Sequence, residues 1–351
     1  MTDVLDATLD TPEPPAEPAV GTPTERRVQW RASIPFIVAH LIPLTAIVVG
    51  VTTKALVLAA VLFFTRVFFI TAGYHRYFSH RAFRTSRFFQ FVLAFGGCAA
   101  AQKGPLWWAG THRVHHRYTD TDRDPHSPMQ GFWWSHVGWV LSPMHKDVDH
   151  DDIAEFATYP ELRFVDRHDW IAPWALGVAS FLVAGLPGLV IGFFGSTVLL
   201  WHATFLVNSA AHVFGRRRYA TADTSRNNVF VALVTLGEGW HNNHHHYPAC
   251  ARQGFRWWEL DVTYWVLRVL AWFRIVRDLR EPPERAKQAR RLRQGHLDVG
   301  ALRLHLQKAA ATLHALPADE RERLRRTLAD VGERATEAVR SRRTHGAAQA
   351  N

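Results

Sequence analysis

The sequence predicts an all-α integral membrane protein, with four transmembrane helices in two hairpins beneath a helical cap on the cytoplasmic side. Three observations predict this fold. Apolar stretches of spanning length occur in two pairs, basic residues flank them on one side, and histidines cluster near their ends. The chain has 351 residues, of which 48% are hydrophobic, so it is long enough to bury a sizeable core.

Residues 1–30 are predicted to form a disordered leader. The run from Asp10 to Pro18 is rich in proline, and no aromatic residue precedes Trp30. A segment of this composition buries too little apolar surface to fold. The leader also begins with acidic rather than basic residues, which argues against a secretory signal.

Four apolar stretches are expected to cross the membrane, because a helix needs roughly 20 apolar residues to span the hydrocarbon core. They form two hairpins, and the turn of the second contains Gly185-Leu-Pro-Gly188. The four predicted spans cover about residues 33–53, 55–73, 170–186 and 188–210.

Two further apolar stretches, Phe88–Gln102 and Asn228–Leu236, are too short to span the bilayer. We expect them to lie in the membrane plane, to re-enter it or to be buried. Arg66 lies inside the second span, where an ionisable residue indicates function by default. Capping of buried carbonyl groups is an equally good interpretation of this arginine.

Basic residues determine the predicted orientation. Arg26, Arg27 and Arg31 precede the first span, the segment between the second and third spans is rich in Arg and Lys, and the outer turns carry only Lys54. The positive-inside rule therefore places both termini in the cytoplasm. The absence of a recognisable targeting signal favours a bacterial-type inner membrane.

Residues 281–351 are predicted to form a charged helical tail, broken near Pro317. Its one or two amphipathic helices could lie against anionic lipid or bind a partner. A solvated tail with no catalytic role is the simpler interpretation. The main folded domain is accordingly expected to cover residues 31–280.

Histidine is unusually abundant, with 21 residues, whereas the chain has only 2 cysteines. Two cysteines exclude a disulfide scaffold and any Cys-based zinc or iron–sulfur site. His40 and His202 lie within predicted spans as isolated histidines and receive no role. Nine other histidines form three clusters and one separate position: His75 and His80; His112, His115 and His116; His241, His244 and His245; and His212.

The spacing of the clusters is typical of metal ligands. Histidines three and four residues apart lie on one face of a helix, as in both HxxHH clusters. His75 and His80 are five apart, which is about 140° around an α-helix. They cannot face one ion unless the helix unwinds, but each could bind one ion of a pair.

The predicted topology brings the nine histidines together. Spans two and four both run inward and deliver His75, His80 and His212 to the cytoplasmic face, where the other two clusters also lie. Nine imidazoles exceed the capacity of one ion, so two ions are expected. An all-nitrogen pair suits iron and dioxygen chemistry, whereas zinc hydrolysis normally needs only three protein ligands and water.

The order and flanks of these clusters resemble the membrane-bound fatty acyl desaturases, of the Δ9 acyl-CoA (stearoyl-CoA) desaturase type. The resemblance covers roughly residues 31–280. The segments that carry it are Thr71-Ala-Gly-Tyr-His-Arg, His116-Arg-Tyr-Thr-Asp-Thr-Asp-Arg-Asp-Pro-His126, Asn208-Ser-Ala-Ala-His212 and Gly237-Glu-Gly-Trp-His-Asn-Asn-His-His-His-Tyr-Pro248.

This resemblance implies a di-iron centre held by the nine histidines, with Asn208 reaching one iron through water, and a bent, closed tunnel for the acyl chain. It implies O₂-dependent insertion of a cis double bond, at Δ9, into a saturated acyl chain carried by coenzyme A. The implied cofactors and partners are two iron ions, O₂ as co-substrate, the lipid bilayer and an external electron donor. No fused cytochrome b5 or Cys₄ ferredoxin motif is present, so the donor is a separate ferredoxin or cytochrome b5-like protein with its reductase.

One departure concerns the acyl carrier. Gly110-Thr111 stands where animal acyl-CoA desaturases have an Arg-Asp pair, so a phospholipid or a carrier protein stays open as the acyl carrier. Arg216, Arg217 and Arg218 could dock an acidic electron carrier, or represent ordinary positive-inside charge. Seven tryptophans are candidates for the tunnel wall or cap: Trp107, Trp108, Trp134, Trp139, Trp240, Trp257 and Trp258.

Three other functions share some of these sequence features. A related His-rich di-iron hydroxylase of membrane lipids would have nearly the same spacing. A membrane metal transporter needs ligands near mid-membrane, whereas these histidines lie at the cytoplasmic end. A nucleic-acid partner is suggested only by the net charge of +10, and four membrane spans argue against it.

Overall fold

The computed structural model describes residues 27–143, 150–292 and 317–323. The predicted leader therefore lies almost wholly outside the described residues, as does most of the predicted tail. The chain forms two compact units, Met1–His296 and Leu297–Asn351. All elements below belong to the first unit, except a short helix at 318–323 that follows Pro317.

The first hairpin begins with α1 (Trp30–Leu41), which continues through a 3₁₀-helical stretch at Ile42–Thr45 into α2 (Ala46–Val49). Gly50 then takes a positive φ of 84° and ends this apolar stretch. The next helix, α3 (Thr53–Phe68), begins where the Thr52 side chain accepts a hydrogen bond from the Ala55 N–H. It continues without interruption into π-helical turns at Phe69–Ser79.

In the described part of the segment that follows, up to Trp170, no helix is long and apolar enough to span a bilayer. The segment contains β1 (Arg84–Thr85), then α4 (Arg87–Cys98), which is 12 residues long and so too short to span a bilayer. The cap helix α5 (Pro105–Tyr118) comes next. Short elements complete the segment: Pro128–Gln130, the π-helical Trp134–Gly138, α6 (Trp139–Leu141), His150–Ile153, α7 (Ala154–Ala157) and α8 (Pro160–Arg167).

The second long apolar segment, Ile171–Val213, has two arms. Helix α9 (Ile171–Pro187) contains a break at Ala184 and Gly185, where Gly185 has a φ of +63°. The second arm comprises π-helical turns at Gly188–Gly195, α10 (Ser196–Asn208) and α11 (Ala210–Val213).

The two arms run antiparallel. A Cβ on Gly177 would lie 3.5 Å from the Phe193 ring, although 16 residues of straight helix would separate them by about 24 Å. The arms occupy the positions of the predicted third and fourth spans. By length and composition, three helices in the described residues could cross a membrane: Trp30–Val49, Thr53–Ser79 and the 43-residue Ile171–Val213.

The remaining elements form the rest of the cap. They are α12 (Val229–Val234), α13 (His241–His246), α14 (Val262–Trp272), β2 (Val276–Arg277) and α15 (Glu284–Gln288). Strand β2 pairs antiparallel with β1. The Leu292 N–H donates to the Arg218 carbonyl, and the Ala220 N–H donates to the Arg290 carbonyl. The first residues of the predicted tail are therefore hydrogen-bonded to the cap.

Arg66 is held by hydrogen bonds to neighbouring helices. Its guanidinium is buried and donates to Thr197 Oγ1 and Ser196 Oγ, both at 2.6 Å, and to the Leu62 carbonyl at 3.0 Å and the Ala99 carbonyl at 3.4 Å. These bonds join α3 to α10 and to the end of α4. The contacts support the carbonyl-capping interpretation of this arginine.

His40 and His202 are not isolated, contrary to the sequence-based expectation. Their Nε2 atoms lie 3.1 Å apart, which joins α1 to α10. The other nitrogen of His202 lies 3.0 Å from Nε2 of His136, and Nδ1 of His136 lies 2.9 Å from the Ser209 hydroxyl. A ladder of three histidines therefore connects α1, α10 and the π-helical segment Trp134–Gly138.

We predict that Gly97→Ala destabilises the protein. A Cβ on Gly97 would lie only 2.1 Å from the buried ring of Tyr74, whose hydroxyl donates to the Lys103 carbonyl at 3.0 Å. Overpacking of this kind costs about 1–3 kcal/mol, which exceeds the roughly 1 kcal/mol that alanine gains over glycine within a helix. A lower thermal unfolding midpoint in detergent is the expected result.

The matched control is Gly195→Ala, where the nearest atom to a new Cβ is the Val190 carbonyl oxygen at 3.6 Å. Its unfolding midpoint should equal or exceed that of the unaltered chain. Equal midpoints for the Gly97 and Gly195 variants would contradict the tight contact with Tyr74.

Candidate metal centre

All nine histidines singled out by spacing meet in one region of the cap. They form two groups, within each of which one ring nitrogen per residue lies within 4.8 Å of the others. The five-histidine group consists of His75, His80, His112, His116 and His244. The four-histidine group consists of His115, His212, His241 and His245.

His75 and His80 belong to the same group because the chain between them is not α-helical. The π-helical turns at Phe69–Ser79 are followed by a bond from the His80 N–H to the His75 carbonyl, at 3.2 Å. A π-helix has hydrogen bonds between residues five apart, so His75 and His80 lie on the same side of it. The two rings lie 4.9 Å apart. This grouping favours the alternative in which an altered helix lets both face one ion over the one in which each binds a different ion.

Each HxxHH cluster serves both groups. On α5, His112 and His116 belong to the five-histidine group, whereas His115 faces the four-histidine group. On α13, the pair four residues apart, His241 and His245, joins the four-histidine group, and His244 joins the other. Two short helices thus fix the two groups relative to each other.

The ring nitrogens of the five-histidine group converge too closely for a hydrogen-bonded network. Consecutive Nε2 atoms lie 2.9–3.0 Å apart in the order His75, His244, His116, His112, His80. The three inner members each have two such neighbours, but an imidazole nitrogen has a single in-plane lone pair or N–H. Two ligand nitrogens at right angles around an ion, each about 2.1 Å from it, would lie about 3.0 Å apart. The arrangement fits a bound metal ion.

The ring nitrogens of the four-histidine group also converge closely. Nε2 of His212 lies 3.0 Å from Nε2 of His241. Nε2 of His245 is buried and has no hydrogen-bond partner in the described residues. A buried nitrogen without a partner is costly, and a metal ion would satisfy it.

Four buried carboxylates lie against the outer nitrogens of four of the histidines. Sequence spacing did not identify them, although three lie inside the motif segments themselves. The pairs, with their Nδ1–oxygen distances, are His75 with Glu238 (2.5 Å), His115 with Asp124 (2.9 Å), His245 with Asp223 (3.1 Å) and His212 with Asp120 (3.5 Å). Nδ1 of His212 is also 3.2 Å from the Thr224 hydroxyl. Such partners fix which nitrogen carries the proton and raise the basicity of the ligand.

The protonation states of six of the nine histidines suit metal binding. Burial lowers the pKa of six histidines well below the usual value, and charge repulsion from neighbouring imidazoles lowers it further, so they are neutral and have a free lone pair. These six are His80, His112, His115, His116, His241 and His244.

Glu238 stays ionised for a specific reason. Burial raises its pKa, but the opposing effects of His75 and Arg76 lower the pKa to about 2. The buried Arg76 guanidinium lies 3.0 Å from Glu238 and 2.9 Å from Asp261, and it also donates to the Ala251 carbonyl at 2.6 Å. This ion-pair network holds the carboxylate against the outer nitrogen of His75.

A cavity of about 1030 Å³ joins the histidines to the apolar helices. His75, His112 and His241 line one part of it, so it reaches both groups, and residues of α1, α9 and α10 line the remainder. Its volume slightly exceeds the range of about 300–1,000 Å³ that is usual for ligand pockets. Of the seven candidate tryptophans, Trp107, Trp108 and Trp139 line this cavity, whereas Trp134, Trp240, Trp257 and Trp258 do not.

Other residues singled out by sequence have the following positions. Asn208, the last residue of α10, lines the cavity that His241 also lines. Arg216 is exposed, whereas Arg217 donates to the carbonyls of Thr221 and Asp223, and Arg218 pairs with Glu259. Only Arg216 of these three therefore has an exposed side chain.

Comparison with known proteins agrees with this geometry. The sequence model for fatty acid desaturase matches residues 52–276, which include all nine histidines. The chain is 40% identical over 257 residues to the sn-1 stearoyl-lipid 9-desaturase of Anabaena variabilis, covering 72% of this chain and 93% of the relative.

Two other relatives differ in substrate. The chain is 41% identical over 206 residues to the sn-2 palmitoyl-lipid 9-desaturase of Nostoc sp. (strain 36), covering 57% of this chain and 72% of that one. It is 37% identical over 221 residues to the acyl-CoA C20 Delta5-desaturase of Anemone leveillei, covering 62% and 71%. The chain belongs to the fatty acid desaturase family, whose members are oxidoreductases of lipid metabolism.

Proposed function

We propose that this protein uses O₂ and two iron ions to insert a cis double bond into a saturated fatty acyl chain. One observation carries the proposal: two groups of converging imidazoles line the same large cavity that extends between apolar helices. A metal pair at one end of an acyl-sized apolar cavity is what oxidation of an unactivated chain requires.

The nine histidines would hold the two ions, five around one and four around the other. Asn208 would complete the four-histidine site through a water molecule. Imidazole ligands suit iron, and an all-histidine set carries no anionic ligand of its own. When bound, iron would supply the activation of O₂ and the oxidising power to remove two hydrogens from neighbouring carbons.

The residues of this chain would position the acyl chain and exclude water from it. The cavity wall would hold the acyl chain next to both histidine groups. Trp107, Trp108 and Trp139 would exclude water from the reacting carbons. The four carboxylates would keep the histidine rings in place during the redox change. In balance, a saturated chain, O₂, two electrons and two protons give an alkene and two waters.

We propose position 9 of the acyl chain, as in the two cyanobacterial relatives. The sequence favours acyl-CoA as the carrier, but those relatives are named for lipid-linked acyl chains, and Gly110-Thr111 lacks the charged pair of animal acyl-CoA enzymes. A lipid-linked acyl chain is therefore the substrate that we propose. Thr111 lines the cavity, and its buried hydroxyl has no hydrogen-bond partner in the described residues.

We further propose four membrane spans, with both termini and the metal centre on the cytoplasmic side of a bacterial inner membrane. The reversal at Gly185 and the shortness of α4 support this topology. The bonds of residues 290 and 292 to the cap support a desaturase domain that extends past its expected end at 280. Electrons would come from a separate ferredoxin or cytochrome b5-like protein with its reductase.

The direct test of function is lipid analysis in a host without its own desaturase, supplied with a compatible electron donor. Expression of the chain should yield a new cis monoene with the double bond at carbon 9, measured by gas chromatography and mass spectrometry. His112→Ala should abolish it. Hydroxy fatty acids would instead indicate a hydroxylase, and no product from iron-loaded protein with its donor would overturn the proposal.

Iron content should depend on the group to which a histidine belongs. His244→Ala removes a central nitrogen of the five-histidine group. Elemental analysis of the purified variant should therefore find about one iron ion per chain instead of two. His246→Ala is the matched control, because His246 stacks on Tyr219 and donates to the Ala286 carbonyl outside both groups. Equal iron in the two variants would contradict the assignment of ligands.

Glu238→Gln should weaken iron binding without removing a ligand. The amide cannot replace the carboxylate opposite Nδ1 of His75, and the loss of such a partner typically costs 10–100-fold in metal affinity. Chelator competition measures this change. Glu161→Gln, which alters only an exposed ion pair with Arg87, should behave like the unaltered protein. An unchanged affinity for Glu238→Gln would show that this carboxylate does not support the site.

A further inference from the structure

We propose that the cavity opens sideways into the bilayer between α1 and α9, and that the acyl chain of a membrane lipid enters through this slot. The identity of the chain rests on the proposed function. The route rests on the geometry of the two helices.

One face of α9 both lines the cavity and is exposed. Trp174, Val178 and Phe181 recur at helical spacing on the cavity wall, yet their exposed fractions are 71%, 56% and 48%. Exposed fractions this large exceed what side chains enclosed by the closed tunnel that the resemblance implies would have. The cavity therefore has no protein wall along this face of α9.

Helix α1 forms the other side of the slot. Small residues face the cavity there, including Ala32, Ser33 and Ala39. Within the described residues, no hydrogen bond or ion pair joins α1 to α9. The contacts that hold α1 lie elsewhere: Ser33 is bonded within its own chain segment, the Gln29 N–H donates to the Leu141 carbonyl at 2.9 Å, and His40 meets His202.

The surroundings of the slot suit a lipid. The exposed stripe of α9 lies inside an apolar segment of membrane-spanning composition, so the slot faces hydrocarbon rather than water. An acyl chain that moves from the bilayer into the cavity stays in apolar surroundings throughout.

The polar end of the same cavity has a place for the head group. Lys103 and Asp169 line the cavity next to Trp170, at the start of α9. Tryptophan is enriched at the membrane–water interface. The ester and head group of the lipid would lie at this end, while its chain passes between α1 and α9 towards His112 and His241.

The test uses the full chain in phosphatidylcholine vesicles that contain a lipid with a photoreactive diazirine in mid-chain. After irradiation, mass spectrometry maps the labelled residues. We expect label on the cavity side of α5, at Trp108, as well as on the outer apolar surface. Val178→Trp narrows the slot and should reduce the Trp108 label to near background, whereas Leu182→Trp should not.

Leu182 is the matched control because it lies on the same helix, is exposed and does not line the cavity. Val178→Phe provides a second, smaller obstruction with an intermediate effect, and an unchanged thermal unfolding midpoint in detergent shows that each variant is folded. Equal Trp108 label in the Val178 and Leu182 variants would overturn the slot. Label at Trp108 from a soluble diazirine acyl-CoA, with none from the diazirine lipid, would also overturn it.

Labelling requires neither iron nor turnover, so the two proposals fail separately. A protein that is labelled through the slot but makes no alkene when loaded with iron and supplied with electrons would contradict the proposed function alone. An active desaturase whose cavity label is indifferent to Val178→Trp would contradict the slot alone.

Discussion

The structure depends on one constraint: nine imidazoles, five of them buried and four partly buried, converge in two groups with one ring nitrogen each. Burial without partners is costly for polar groups, and neighbouring Nε2 atoms about 3 Å apart cannot all be satisfied by one another. A metal ion in each group would satisfy these nitrogens. Four carboxylates lie against the outer nitrogens of the rings, and the buried Arg76 keeps one of them, Glu238, ionised.

The fold follows from this constraint. Two of the three long apolar segments end at the histidines: Thr53–Ser79 through the π-helical turns at Phe69–Ser79, and Ile171–Val213 through α11. The short helices α5 and α13 each face both groups and set their separation. The same membrane helices then bound the cavity, so that the chemistry at the histidines and the path of an apolar chain are built from one set of elements.

Much of the site could be predicted from sequence, because ligand spacing is a local property. The nine histidines emerged from it, as did the turn at Gly185. The partition between groups did not, since it depends on a π-helical stretch that spacing alone does not reveal. Glu238 and Asp223 act across the fold, and the pairing of His40 with His202 joins residues 162 positions apart. Contacts of this kind need the tertiary structure.

The central claim is that the two histidine groups bind two separate iron ions. Anomalous diffraction at the iron edge, from crystals of the iron-loaded protein, tests it most directly. The account predicts two peaks, one among the ring nitrogens of the five-histidine group and one among those of the four-histidine group. A single peak, or iron bound elsewhere in an active protein, would contradict it.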